Sequence, residues 1–189
     1  DETIRKLETA SPLDKAVVTV GATPARNTYL EAAKALAGQK DERLPAILDR
    51  RIIDFDWSAT AEAAELILNF PTDNGRAYAR RWLNLADSAV LPSATNVRYS
   101  EAREALTCVR IWAAANLLTG GPKAEETALA ALDRLLPPAQ ELPYCATIHV
   151  HRLYHSLASK PGPERHVMSC RLTPIVDSPY AGNELQELL

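Results

Sequence analysis

Apolar residues recur every three or four positions along most of this chain, which is the spacing of one buried face of an α-helix. Helices are predicted over residues 24–37, 42–53, 59–70, 75–89, 100–118, 122–136 and 143–159, with a short turn of helix at 164–170 and two final turns at 183–189. Almost nothing is typical of a strand hairpin, because the β-branched run at residues 16–20 is short and isolated. The chain is therefore predicted to be all-α.

Residues with special backbone chemistry support several of these boundaries. Thr23 is a suitable N-cap, Pro24 suits the first helical position, and Gly38 follows the end of the first predicted helix. Pro45 falls in the first turn of the next helix, where a missing N–H costs little. Pro71 ends the third. These signals predict where the helices stop as well as where they lie.

Short connections favour antiparallel packing of consecutive helices. The natural pairs are 24–37 with 42–53, 59–70 with 75–89, and 100–118 with 122–136. No fixed repeat is present, since the tryptophans at positions 57, 82 and 112 share neither phase nor flanking pattern. We expect an irregular multi-helix bundle or a short stack of antiparallel α-hairpins, with about 7–9 helices.

A chain of 189 residues with 47% hydrophobic content can bury a core without disulfides or metals. Residues 1–189 are predicted to form a single all-helical domain, less regular at 1–22 and 171–189 and extended over 172–179. Because the sequence begins at Asp1 without an initiator Met, we expect it to be excised from a larger protein. The three cysteines form an odd set, which favours reduced thiols over a disulfide framework.

The charge and hydropathy of the chain narrow the classes of partner. The formal net charge of -3 is too small to indicate binding of nucleic acid or membrane phosphates by bulk charge. The most apolar stretch, residues 105–118, is interrupted by Arg110 and Asn116 and is too short to span a bilayer. We therefore expect a soluble chain with no membrane insertion and no nucleic-acid partner.

All four histidines and two of the three cysteines lie within 26 residues, the main anomaly of the composition. The cluster consists of Cys145, His149, His151, His155, His166 and Cys170. Three pairs in it are four residues apart, so each pair would share one face of a helix, and imidazole and thiolate are ligands that zinc accepts. Residues 149 and 151 face opposite ways on a helix, so at most a subset could bind zinc, the one cofactor considered.

Two other interpretations of this cluster stay open. Cys145 could be a nucleophile activated by His149 one turn away, although no third, orienting group is identified. The structural alternative places Cys145 and Cys170 in the core and the histidines at or near the surface. The structural alternative is the default because the spacing matches no familiar zinc motif.

Two further groups are candidates for binding. Arg76, Arg80 and Arg81 form a basic group on one predicted helix, with Arg50 and Arg51 one helix earlier, and could bind phosphate or an acidic protein. Aromatic residues suited to base stacking are not interleaved with them, which argues against RNA or DNA. Phe55 and Trp57 combine large rings with charge in a predicted connector.

No motif for a nucleophilic serine, a phosphate loop or a dinucleotide site is present. The leading hypothesis is therefore a protein–protein interaction domain of a bacterial protein, in the context of a secreted effector that acts on host proteins. One alternative is an adaptor-like E3 ubiquitin ligase domain without a catalytic cysteine. A second alternative is a metal- or thiol-dependent enzyme that uses the region from Cys145 to Cys170.

Overall fold

The computed structural model describes residues 11–22, 26–54, 63–96, 98–135, 153–155, 157–159 and 161–176. All regular elements in these ranges are helical, as the sequence predicts. The α-helices are α1 (Pro12–Ala22), α2 (Arg26–Gly38), α3 (Leu44–Asp54), α4 (Asp73–Leu83), α5 (Asp87–Val90), α6 (Tyr99–Leu117), α7 (Pro122–Leu135) and α8 (Pro163–Val176). A 3₁₀ helix, Glu65–Asn69, precedes α4.

Helix α1 is not among the predicted helices, and its first turn explains why it forms. The Ser11 hydroxyl accepts a hydrogen bond from the Asp14 backbone N–H at 3.1 Å and donates one to the Asp14 carboxylate at 2.7 Å. Pro12 occupies the first helical position. This capping arrangement outweighs the β-branched residues 17–20, which lie inside the helix.

Two predicted helices differ from those observed. The predicted helix 59–70 ends in the 3₁₀ helix, and its residues 59–62 lie outside the described part of the chain. The predicted helix 75–89 is two helices, α4 and α5. Asn84 follows the end of α4, and its Nδ2 donates to the Arg80 carbonyl. Beyond it, Arg110 of α6 donates hydrogen bonds to the Leu85 carbonyl and, at 2.7 Å, to the Asp87 carboxylate. A side chain from another helix thus stabilises the connector.

The start of α4 lies very close to the end of the 3₁₀ helix. The Thr72 hydroxyl accepts a hydrogen bond from the Gly75 backbone N–H and caps α4. A Cβ atom at Gly75 would lie 2.1 Å from the Phe70 carbonyl oxygen, so only glycine fits there without a shift of the backbone. That carbonyl accepts a hydrogen bond from Asn116 Nδ2 at 3.0 Å.

Helix α6 lies at the centre of the structure. Residues 111–118 are all buried, so the second half of α6 is covered on every side. It packs against α4, α7 and the 3₁₀ helix, while α1 packs mainly against α2. Gly121, with φ of 86°, makes the turn that returns the chain along α6 as α7. The predicted pairing of 100–118 with 122–136 is confirmed.

Helix α8 is longer than the predicted turn at 164–170, and residues 172–176, predicted to be extended, are helical. It packs against α7. Arg165 is only 3% exposed, and its guanidinium donates a hydrogen bond to the Leu118 carbonyl at 2.8 Å and forms an ion pair with Glu125. This buried arginine joins α8 to the turn between α6 and α7 through a hydrogen bond and an ion pair.

Candidate functional site

The predicted arginine group is largely engaged within the molecule. Arg76 donates a hydrogen bond to the Pro71 carbonyl at 2.6 Å, and Arg81 lies 3.2 Å from the Asp49 carboxylate. Asp49 is 6% exposed and also accepts a hydrogen bond from Trp82 Nε1 at 3.0 Å. Arg80 is exposed on α4. Two members of the group thus support the α4 region, and its role in binding stays a prediction.

Of the two candidate arginines on α3, one contacts another helix and the other is exposed. The Arg51 guanidinium stacks over the Tyr29 ring, 4.6 Å from its centroid, and joins α3 to α2. Arg50 is exposed on α3. Phe55 and Trp57 lie outside the described residues.

Half of the histidine and cysteine cluster can be located. His155 is exposed, with the Tyr154 ring edge-on to it at 5.7 Å. Cys170 Sγ lies 3.7 Å from His166 Nε2, and both residues are exposed on α8, so this pair shares a helix face as its spacing predicts. Cys145, His149 and His151 lie outside the described ranges. Among the residues that the structure describes, no group of three or more potential ligands could hold a metal ion.

An exposed ion-pair network joins α1 to the connection between α2 and α3. The Arg43 guanidinium lies 2.6 Å from the carboxylates of both Asp14 and Asp41. Its hydrogen bonds hold the pKa of each carboxyl below the usual value, with Ser11 assisting at Asp14. These shifts come from a structural contact between elements, because the three charges satisfy one another.

An open groove lies between α7 and α8, with a volume of about 440 Å³. Eight described residues line its walls, four on each helix: Glu126, Leu129, Ala130 and Asp133 on α7, and Pro163, Glu164, Val167 and Met168 on α8. Leu129 and Met168 are nearly buried and form the floor, whereas the other six residues are exposed. We call this feature the α7–α8 groove.

The chemistry of the α7–α8 groove is an apolar floor with an acidic rim. Among the described lining residues, the charged ones are Glu126, Asp133 and Glu164, and none is basic. Val167 is 60% exposed, one of two large apolar side chains in the described ranges with such exposure, together with Val18 at 46%. An exposed apolar side chain beside a preformed groove is typical of a binding surface.

Sequence reasoning missed this site for a physical reason. The residues of α7 that line it follow an i, i+3, i+4, i+7 pattern, which the sequence shows. The second wall depends on how α8 docks, and that is set by Arg165 and its contacts with Glu125 and Leu118, at least 40 residues away. An arginine inside a short predicted turn gives no indication that it will be buried.

Comparisons with known proteins add no relative. No family model, no curated protein and no solved structure matches the chain. Within the described residues, every helix is too short or too polar to cross a membrane.

Proposed function

We propose that this chain is a protein-interaction domain that binds a segment of a partner protein in the α7–α8 groove. The observation that carries the proposal is the combination of an apolar floor with the 60% exposed Val167 at its rim. Burial of apolar surface is the main favourable term in most protein association. A partner side chain seated on Leu129 and Met168 would cover Val167 as well.

The shape of the groove supports a protein partner. Small-molecule sites enclose most of their ligand, whereas six of the eight residues that line this groove are exposed. A shallow groove covers one face of an occupant and leaves the rest in solvent. Such a surface suits a segment that belongs to a larger molecule.

The lining residues also argue against a catalytic role. The carboxylates of Glu126, Asp133 and Glu164 are the only ionisable groups in the described part of the lining, and all three residues are exposed. Carboxyl groups that act as general acids usually owe their altered pKa to a desolvated site. Serine, cysteine, threonine, histidine and lysine are all missing from the described lining. The effector and ubiquitin-ligase hypotheses both need a protein-binding surface, and they stay predictions.

Selection from a random peptide library displayed on phage tests the proposal without knowledge of the partner. Peptides enriched on the intact chain are measured against Ala130→Trp, which places an indole in the groove from an exposed position. The control is Ala35→Trp, the same substitution at an exposed alanine of α2. Circular dichroism and urea unfolding establish that both variants fold.

We expect enriched peptides to bind the parent and Ala35→Trp equally and to bind Ala130→Trp at least about tenfold more weakly, a loss of about 1.4 kcal/mol. If no peptide is enriched, or if the enriched peptides bind Ala130→Trp as well as the parent, the α7–α8 groove is not a protein-binding site.

A further inference from the structure

We infer that His166 and Cys170 on α8 form half of a metal site, and that two copies of this chain share one zinc ion through these pairs. The inference is independent of the proposed function, because neither residue lines the α7–α8 groove. It stands on the distance between the two ligand atoms, on their exposure, and on the number of ligands that zinc requires.

The two side chains already have the separation of a zinc chelate. Cys170 Sγ lies 3.7 Å from His166 Nε2. Zinc bonds of about 2.3 Å to sulfur and about 2.0–2.1 Å to nitrogen, at a tetrahedral angle, place the two ligand atoms about 3.5–3.6 Å apart. A metal ion can therefore replace the contact between thiol and imidazole with only a small movement of either side chain.

Buried neighbours hold the helix that carries the pair in place. Arg165 and Ser169, each one position before a member of the pair, are 3% and 8% exposed. The Arg165 guanidinium donates to the Leu118 carbonyl at 2.8 Å, and the Ser169 hydroxyl donates to the Arg165 carbonyl at 2.9 Å. Because this side of α8 is anchored, His166 and Cys170 are held one turn apart, and little conformational freedom is lost when they bind an ion.

The donor atoms determine the class of ion. A thiolate and an imidazole favour zinc and similar transition metals over Mg²⁺ and Ca²⁺, which prefer oxygen ligands. On binding, the Cys170 thiol gives its proton to the solvent and bonds as a thiolate, while the neutral His166 ring bonds through Nε2. No group is oxidised or reduced. Zinc is therefore the appropriate probe for this pair.

One chain supplies only part of the required ligand set on this surface. Structural zinc sites have four ligands, and the described residues contain no group of three or more that could hold a metal ion. His166 and Cys170 are both exposed, so the other two coordination positions are open to solvent. A second copy related by a two-fold axis presents the same pair there, because a two-fold interface uses the same surface on both subunits.

Two copies together give a complete set of two sulfur and two nitrogen ligands, which is a common donor set of structural zinc. The two thiolates balance the double positive charge of the ion, so the site places no net charge between the chains. Because neither pair is sufficient alone, zinc binding and dimerisation should depend on each other.

The test measures metal content and mass on the intact, reduced chain without a histidine tag. Zinc is added up to one equivalent per chain, and sedimentation velocity gives the fraction of dimer. Cobalt in place of zinc reports sulfur ligation through its charge-transfer absorption. The variants are His166→Ala and Cys170→Ser. The control is His155→Ala/Cys145→Ser, which removes one imidazole and one thiol outside α8.

We expect the parent to form a dimer with one zinc ion per two chains and to show the sulfur-to-cobalt band. Each α8 variant should need at least about tenfold more zinc to reach the same fraction of dimer, because half of the ligands of one type are lost from both copies. The control should stay within about twofold of the parent, and Mg²⁺ should produce no dimer. Circular dichroism establishes that all forms fold.

Each of the other outcomes would overturn the inference. A mass that does not respond to zinc, or a dimer that both α8 variants form as readily as the parent, would exclude an ion shared through this pair. Zinc held by a monomer, or loss of the dimer in the control, would mean that other residues of the same chain complete the site. The peptide selection tests the α7–α8 groove separately, so the proposed function does not depend on these results.

Discussion

Arg110 and Asn116 interrupt the most apolar stretch of the sequence, and both bind backbone carbonyls of segments outside the regular α-helices. Arg110 donates to the Leu85 carbonyl in the break between α4 and α5. Asn116 is 1% exposed, and its Nδ2 donates to the carbonyls of Ile67 at 2.7 Å and Phe70 at 3.0 Å. The sequence identifies the two polar residues but not their partners, which lie 25 to 49 positions away.

The donor group of Asn116 should be essential to the stability of the core. Asn116→Asp replaces the amide by an acceptor of nearly the same size, so at pH 7 a buried carboxylate would face two carbonyl oxygens. We expect a loss of about 3 kcal/mol or more in the free energy of unfolding, since an unpaired buried charge is strongly disfavoured. Urea unfolding followed by circular dichroism measures it.

The pH dependence of that loss distinguishes charge from packing. In Asn116→Asp, burial should raise the folded-state pKa of the introduced carboxyl group above its unfolded value of about 3.9. The loss should then grow as pH rises from about 4 towards the folded-state pKa, and shrink as pH falls. Asn116→Leu, with the same branching and no charge, should cost about 1–3 kcal/mol at every pH. Equal pH profiles for the two variants would contradict this account.

At the scale of elements, a buried arginine joins α8 to the turn between α6 and α7. Arg165 joins it to the Leu118 carbonyl and to Glu125, whose side chain is 29% exposed. Removal of one partner from a buried ion pair typically costs about 3 kcal/mol or more, because the other charge stays behind. We therefore expect Arg165→Met to lower the free energy of unfolding by about 3 kcal/mol, measured with urea.

Two companion variants identify the source of this effect. Arg165→Lys should recover only part of the loss, because one ammonium group cannot reproduce the planar fork that reaches both partners. Arg103→Met, the same change at an exposed position of α6, should stay within about 0.5 kcal/mol of the parent. A similar loss in Arg103→Met and Arg165→Met would contradict a specific role for Arg165.

The elements that the sequence predicts well are those whose apolar period continues without a competing tertiary contact. Helices α6 and α7 begin and end within a residue of their predicted bounds, since Gly121 and Pro122 mark the turn between them. The predicted helix 75–89 is interrupted after Leu83, although its apolar spacing continues, and Arg110 binds the Leu85 carbonyl in the interruption. The local pattern predicts the helix but contains no information about this contact with α6.

At the scale of the whole molecule, composition and period predict the fold class, but not the site. The α7–α8 groove depends on the packing of two helices that are separated by residues 136–162. The candidate chemistry that the sequence does emphasise, the cluster from Cys145 to Cys170, is only partly described, and its zinc-binding role stays a prediction. Surfaces made by distant segments leave no pattern at one place in the sequence.

The central position of α6 predicts that its buried residues become exposed only when the whole domain unfolds. Cys108 is a cysteine outside any disulfide, with 1% exposure in α6, while Cys170 is exposed on α8. In a Cys145→Ala/Cys170→Ala variant, Cys108 should react with a thiol reagent at least about a thousandfold more slowly than in the unfolded chain, since its exposure requires global unfolding.

The rate of Cys108 modification should rise with urea with a slope close to that of equilibrium unfolding, because the same surface is exposed in both processes. A Cys108→Ala/Cys145→Ala variant, which keeps Cys170, provides the comparison and should react rapidly without urea. Rapid reaction of Cys108 in water, or a shallow dependence on urea, would mean that α6 is exposed by local opening. In that case α6 would not be the centre about which the described helices fold cooperatively.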